Sequence, residues 1–206
     1  MQNIEIDPNK QYILAGDISG SMDSQDAKCA GLSRYNYMLE KFKAFIKISE
    51  DYDPDGPTII LFGENVKVFR NTTLAAVNDK LSKIEFEGFT NTDKVIDEAF
   101  KLHREEKAEL AKQGKAHTGS VLMLFTDGAP TNRAAVGRSI INISNAIDTR
   151  EEFSIIFLTV GTIAPDLKDW LEMIDDNLKG AKFDIVDVKP LEDVSFLGAV
   201  KGALTD

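Results

Sequence analysis

The sequence predicts an α/β protein built on a doubly wound, mostly parallel sheet of six strands, with one antiparallel edge strand and helices on both faces. Short, continuously apolar runs recur along the chain, stretches of helical periodicity lie between them, and the connections are short. A strand covered on both faces has no polar side to alternate with, so an unbroken apolar run is the mark of a buried parallel strand. Strand–helix alternation then implies right-handed crossovers onto both faces of one sheet.

The runs come in order. Tyr12-Ile13-Leu14-Ala15-Gly16, Thr58-Ile59-Ile60-Leu61-Phe62, Val121-Leu122-Met123-Leu124-Phe125 and Ile155-Ile156-Phe157-Leu158-Thr159-Val160 are the central strands. Val66-Lys67-Val68-Phe69 follows the turn signal Gly63-Glu64-Asn65, which makes it the antiparallel edge strand. Phe183-Asp184-Ile185-Val186 is the expected last strand. Tyr35, Met38, Leu39, Phe42, Phe45 and Ile46 lie on one helical face, as do Val95, Ile96, Ala99, Phe100 and His103, and Val136, Ile140, Ile143 and Ile147. Leu167, Trp170, Leu171 and Ile174 mark a further helix, and Val194, Leu197 and Val200 a last one. No repeat or linker interrupts the pattern, so residues 1–206 read as one domain, with 1–10 as an N-terminal arm.

The composition excludes several function classes. A formal net charge of −10 argues against nucleic acid and anionic membrane surfaces, which need a basic face. No apolar run approaches the roughly 20 residues that span a bilayer. Met1-Gln2-Asn3-Ile4-Glu5 lacks a basic stretch followed by an apolar core, so no signal peptide is expected. The single cysteine, Cys29, rules out an internal disulfide, and the expected compartment is the cytoplasm.

In a doubly wound sheet, ligands bind beyond the carboxyl ends of the strands, where neighbouring crossovers diverge. Three loops meet that description. They read Asp17-Ile18-Ser19-Gly20-Ser21-Met22, Gly88-Phe89-Thr90-Asn91-Thr92-Asp93 and Phe125-Thr126-Asp127-Gly128. Asp17, Ser19, Ser21, Thr90 and Asp127 supply two carboxylates and three hydroxyls, with no His or Cys. Oxygen-only donors select a hard cation, Mg²⁺ first, with Mn²⁺ and Ca²⁺ fitting the same set. Hydroxyls are neutral, so an ion held by Ser19, Ser21 and Thr90, with Asp17 and Asp127 acting through water, keeps most of its charge. One open position would then attract a carboxylate from another protein. With both aspartates bound directly, that attraction weakens.

Together, Asp17-x-Ser19-x-Ser21, Thr90 within Gly-x-Thr-Asn-Thr, and Asp127 within Thr-Asp-Gly resemble the metal-ion-dependent adhesion site of von Willebrand factor A-type (VWA) domains. The resemblance implies a Rossmann-like fold and a module that binds an acidic group, Asp or Glu, on a protein partner through a metal. Residues 23–33 depart from the common pattern as an insertion carrying Asp23, Asp26, Lys28 and Cys29. The chain also resembles stand-alone prokaryotic VWA proteins of the tellurium-resistance and stress type.

The expected function is therefore metal-dependent protein binding rather than catalysis. Two alternatives stand beside it, a metal-dependent phosphatase or phosphotransferase and a scaffold holding metal incidentally. Against the enzyme, position +2 from Asp17 is Ser19 instead of a second Asp, and no Lys or Arg for a phosphoryl charge follows the Val121 strand. No Gly-x-x-x-x-Gly-Lys-Ser/Thr loop or Gly-x-Ser-x-Gly elbow occurs either. Plain structural roles are expected elsewhere. Thr92 and Thr131 read as helix N-caps, Asn91 as a loop-ordering residue, His103 and Trp170 as packing residues, and Cys29 as a bystander thiol in an exposed loop.

Overall fold

The computed structural model describes residues 2–7, 9–49, 56–176 and 178–197. Its elements in chain order are β1 (Gln2–Glu5), β2 (Gln11–Asp17), α1 (Arg34–Ser49), β3 (Thr58–Phe62), β4 (Val66–Phe69) and α2 (Leu74–Ala76). They continue with α3 (Thr92–Lys112), β5 (Ser120–Thr126), α4 (Arg133–Ala146), β6 (Phe153–Thr159), α5 (Pro165–Asp176), β7 (Val186–Pro190) and β8 (Val194–Leu197).

Six strands form the central sheet in the order β4-β3-β2-β5-β6-β7. Only β4 runs antiparallel, against β3 at one edge. The order reverses direction at β2, whose neighbours are β3 on one side and β5 on the other. That reversal is the switch point at which crossovers part and leave a crevice. β2 and β5 pair with Gly16 opposite Phe125, so Asp17 and Asp127 leave neighbouring strands at the same end of the sheet.

The expected two-sided burial is realised. On one face, Met38, Phe42, Phe45 and Ile46 of α1 pack on Leu14, Leu61, Met123 and Phe125. On the other, Val95 and Ile96 of α3, Val136 and Ile140 of α4 and Leu171 of α5 cover Ile13, Ala15, Leu124 and Phe157. Each such side chain contributes about 1.5–3 kcal/mol on burial. Gly16 is where α1 comes nearest to β2: a Cβ there would stand 2.8 Å from Met38 Cε. Among the described residues, no helix is long and apolar enough to cross a membrane.

Two expected elements differ. Val194 and Leu197, read as a helical stripe with Val200, belong instead to β8, which pairs parallel with β1 in a separate two-stranded sheet. Phe196 of β8 meets Phe45 of α1 edge-on at 5.6 Å, so the pair extends the apolar cover around α1. Val200 lies outside the described residues. The last strand of the main sheet begins at Val186, later than the run 183–186 suggests. Ser144 of α4 holds the Phe183 backbone: Phe183 N–H donates to Ser144 Oγ at 2.7 Å, and that hydroxyl donates to Phe183 O at 2.8 Å.

Candidate metal-binding site

The three loops meet at the carboxyl end of the sheet. Asp17 ends β2 with no solvent exposure, its backbone committed to the sheet. Ser19 N–H donates to Asp17 Oδ1 at 2.7 Å, and the Thr126 hydroxyl donates to Oδ2 at 2.6 Å. Burial pushes the Asp17 carboxyl up to about 6 despite these bonds, and the Asp127 charge adds to the rise. The chain then turns so that Ser19 and Ser21 face each other, hydroxyl to hydroxyl at 3.1 Å. Ser21 Oγ donates to Asp127 Oδ1 at 2.9 Å. Asp17 thus forms the floor and Ser21, which is exposed, the mouth.

Thr90 reaches the same place from the loop before α3. A Cβ on Gly128 would lie 3.9 Å from both Ser21 Oγ and Thr90 Oγ1, which sets the two hydroxyls around one small residue. Thr90 N–H donates to Thr131 Oγ1 at 3.0 Å, and Thr131 N–H donates to Thr90 O at 2.9 Å. The first two loops are also stitched together, since Gly20 N–H donates to Glu87 O and Glu87 N–H to Ile18 O. Asn91 orders its loop by donating through Nδ2 to Glu64 O at 3.0 Å.

Asp17, Ser19, Ser21 and Asp127 therefore form one hydrogen-bonded group, with Thr90 beside it. Among the described residues, no three His, Cys, Asp or Glu side chains gather so as to hold a metal. The donor set here is instead two carboxylates with three hydroxyls, the chemistry that suits a weakly neutralised hard cation. Hydrogen bonds join four of the five residues and Gly128 sets Thr90 near Ser21, so the donor set fits such an ion.

The family model described as "von Willebrand factor type A domain" matches residues 12–129, more than half of the chain and all three loops. The chain belongs to the VWA family. VWA domains generally mediate protein–protein interaction and commonly bind a divalent metal. Among solved structures, proximal thread matrix protein 1 from the mussel byssus shares 15% identity at a TM-score of 0.53. The alignment covers 91% of this chain and 45% of that one. The manganese-loaded TRAP protein of Plasmodium vivax shares 13% identity at a TM-score of 0.47, over 91% of this chain and 71% of that one. The RO (RSR) protein of Deinococcus radiodurans shares 13% at 0.47, over 94% and 32%. The chain thus spans under half of the byssus protein and about a third of the Deinococcus one. The likeness to the byssus protein, at 15% identity, speaks of fold alone. No curated protein matches the sequence.

Several residues of this VWA site carry little local signal in the sequence. Arg34, the first residue of α1, lays its guanidinium against Asp127, with Nη1 donating to Oδ2 at 2.5 Å. Its Nη2 donates to Asp26 Oδ2 at 2.9 Å and to Thr162 O at 3.1 Å, and its Nε reaches the same Asp26 oxygen at 3.3 Å. Asp26 comes from the 23–33 insertion and also accepts from Thr162 N–H at 2.9 Å and Lys28 N–H at 3.0 Å. The Thr162 N–H, ahead of its other partners, holds the Asp26 carboxyl down at about 2. Gly161, at φ +72°, allows that approach, because a Cβ there would stand 2.7 Å from Asp26 Oδ2. An arginine in the first turn of a helix opposes the helix dipole by about 0.3–1 kcal/mol, which would have been the one sequence clue.

Other expectations need correcting. Cys29 is fully buried, packed in the α1-side core, because the insertion folds down onto the domain instead of looping out. Thr92 opens α3 without capping it, and its Oγ1 is buried without a hydrogen-bond partner. Thr131 braces Thr90, while Asn132 caps α4 by accepting from Ala135 N–H at 3.0 Å. His103 is buried as expected, bonded to Ser120 Oγ at 2.9 Å and to Glu152 Oε1 at 3.3 Å.

Proposed function

We propose that this VWA domain is a protein-binding module that holds a divalent ion, Mg²⁺ foremost, with Asp17, Ser19, Ser21, Thr90 and Asp127. The ion then grips an Asp or Glu carboxylate of a partner protein. The observation that carries the reading is the Ser19–Ser21–Asp127 hydroxyl and carboxylate chain, closed at the mouth of the crevice above buried Asp17. Hydroxyls outnumber carboxylates there, and a hard ion so held retains charge for an incoming anion. Asp17 supplies the fixed negative charge. The two serines and Thr90 supply neutral oxygens, and Thr131 keeps Thr90 in register through its backbone. In this reading the chain has no catalytic role of its own.

One observation favours the phosphoryl-transfer rival. Arg34 places at Asp127 the cation that such chemistry needs, from α1 rather than from beyond β5. Four of its five N–H donors are engaged with Asp26, Asp127 and Thr162 O, however, and residue 19 is a serine.

The test is capture of protein partners from a native extract in Mg²⁺ or in EDTA, with the wild type and Asp17→Ala side by side. Capture that requires Mg²⁺ and vanishes in the folded variant is the expected result. Partners retained in EDTA and by Asp17→Ala would overturn the reading. Metal-dependent turnover of an aromatic phosphate ester, lost in Asp17→Asn, would replace it with the enzyme.

A further inference from the structure

One residue of the 23–33 insertion, Asp26, is tied through Arg34 to the candidate ligand Asp127. The Arg34 side chain is 17% exposed and spans two carboxylates, that of Asp127, which is fully covered, and that of Asp26, which is 7% exposed. It is held at both ends. Beyond Asp127, three contacts fix it, two to Asp26 and one to Thr162 O. Asp26 is itself fixed by two backbone N–H groups, of Thr162 and Lys28. A guanidinium clamped in this way cannot follow its partner carboxylate if that carboxylate moves.

Resting on the proposed metal-binding reading, we propose that Arg34, anchored by Asp26, is a positioning residue that holds Asp127 back from direct contact with the ion and so keeps the ion receptive to an acidic ligand. The reason is the occupancy of the two Asp127 oxygens. Oδ2 accepts from Arg34 at 2.5 Å, and Oδ1 accepts from Ser21 at 2.9 Å. For Asp127 to swing toward the ion, its Oδ2 must pull away from a charge-assisted hydrogen bond to a rigidly held guanidinium. The same guanidinium offsets the charge of Asp127, so less negative charge reaches the ion. Both effects act in one direction, lowering metal affinity and leaving more of the ion's charge for the partner's carboxylate. The insertion is then the part of the chain that sets this balance. A merely structural Arg34 makes the opposite prediction, since removing it would loosen Asp127 and weaken metal binding.

The test is calorimetric titration of the metal-free protein with MgCl₂ and MnCl₂, for wild type, Arg34→Gln and Arg34→Lys. Water-proton relaxation is then measured for each Mn²⁺-loaded form, because it reports the waters left on the ion. Arg34→Gln is expected to bind both ions about tenfold more tightly, the scale of a typical coupling between sites, and to show lower relaxation enhancement per bound Mn²⁺. Arg34→Lys keeps a charge but cannot fork across two carboxylates, so its gain is expected to be smaller. Affinity unchanged or weakened in Arg34→Gln overturns the inference. If that variant does not fold, Arg34→Lys decides, with any gain supporting the inference and none overturning it. A wild type that binds neither ion at millimolar concentration brings down the metal reading itself, whereas binding without a gain on substitution brings down only the role of Arg34.

Discussion

The ends of β2 and β5 lie side by side, each presents an aspartate, and the fold treats the two in opposite ways. Asp17 is fully buried and bonded to neutral donors only, a backbone N–H and the Thr126 hydroxyl. Its charge is therefore costly, and its carboxyl is pushed up to about 6. Asp127 is equally covered at its side chain but paired with Arg34, which is itself anchored outside the crevice. One carboxylate is left wanting a cation and the other already has one. The lesson is that two ligands of one type, a strand apart, can play unequal parts. Asp17 is the group that an ion relieves, and Asp127 is a group that an ion has to share.

The largest expected effect separates the two by metal affinity. Asp17→Ala is expected to remove measurable Mg²⁺ binding, and removing Arg34 as well restores nothing. Asp127→Ala is expected to weaken binding about 100-fold, at the upper end of what loss of an outer metal partner costs. Part of that loss should return in the Asp127→Ala, Arg34→Gln double variant, because an unpaired guanidinium no longer faces the ion. Calorimetry on these variants, the wild type and Arg34→Gln forms a double-mutant cycle for each aspartate. Equal rescue at both positions would erase the distinction.

Stability in EDTA sharpens it further. Asp127→Asn breaks one arm of a well-covered ion pair and leaves Arg34 half-satisfied, so it should cost about 1–2 kcal/mol, a fall of a few degrees in Tm for a chain of this size. Asp17→Asn removes a charge that burial opposes, so at pH 8 it should raise Tm slightly. Melts that shift in the same direction would show that the two environments do not differ as described.

The smallest effect comes from a third aspartate that serves as a control. Asp175 of α5, remote in sequence from the three loops, is also raised to about 6, by burial first and then by the charges of Asp187, Asp176 and Asp184. A raised carboxylate holds its proton more tightly in the folded state. Its contribution to stability is thus full below the ordinary value near 3.8 and is lost as pH rises through about 6. Asp175→Asn should leave Mg²⁺ affinity unchanged, match the wild-type Tm at pH 4 and exceed it by a degree or two at pH 8. A gap that is largest at pH 4 would refute the assignment.

Much of this comparison is legible in the sequence. The two aspartates stand out because Asp17 directly follows one continuous apolar run and Asp127 stands one residue beyond another, and Ser19 and Ser21 follow Asp17 at spacings that a strand-to-helix turn brings to one side. Arg34 was not legible. It lies thirteen residues beyond Ser21 within a polar stretch, and nothing in its neighbours reports that it faces Asp127, 93 positions away. Thr131 was misread for a related reason, since before Ala134 and Ala135 it resembles a cap, while its real partner, Thr90, is 41 positions distant. Val194 and Leu197 have helical spacing, yet they form a strand because β1, at the other end of the chain, offers its backbone.

By itself, the amino-acid order determined the alternation of strands and helices, the faces they bury and the loops that carry the oxygen ligands. These follow from periodicity and turn chemistry, which act over a few residues. The tertiary structure alone decided which cation Asp127 meets, that the insertion around Asp26 folds onto the site, and that Cys29 is buried. Such outcomes depend on side chains brought together by chain closure over long separations, and no local pattern encodes the partner at the far end of the loop.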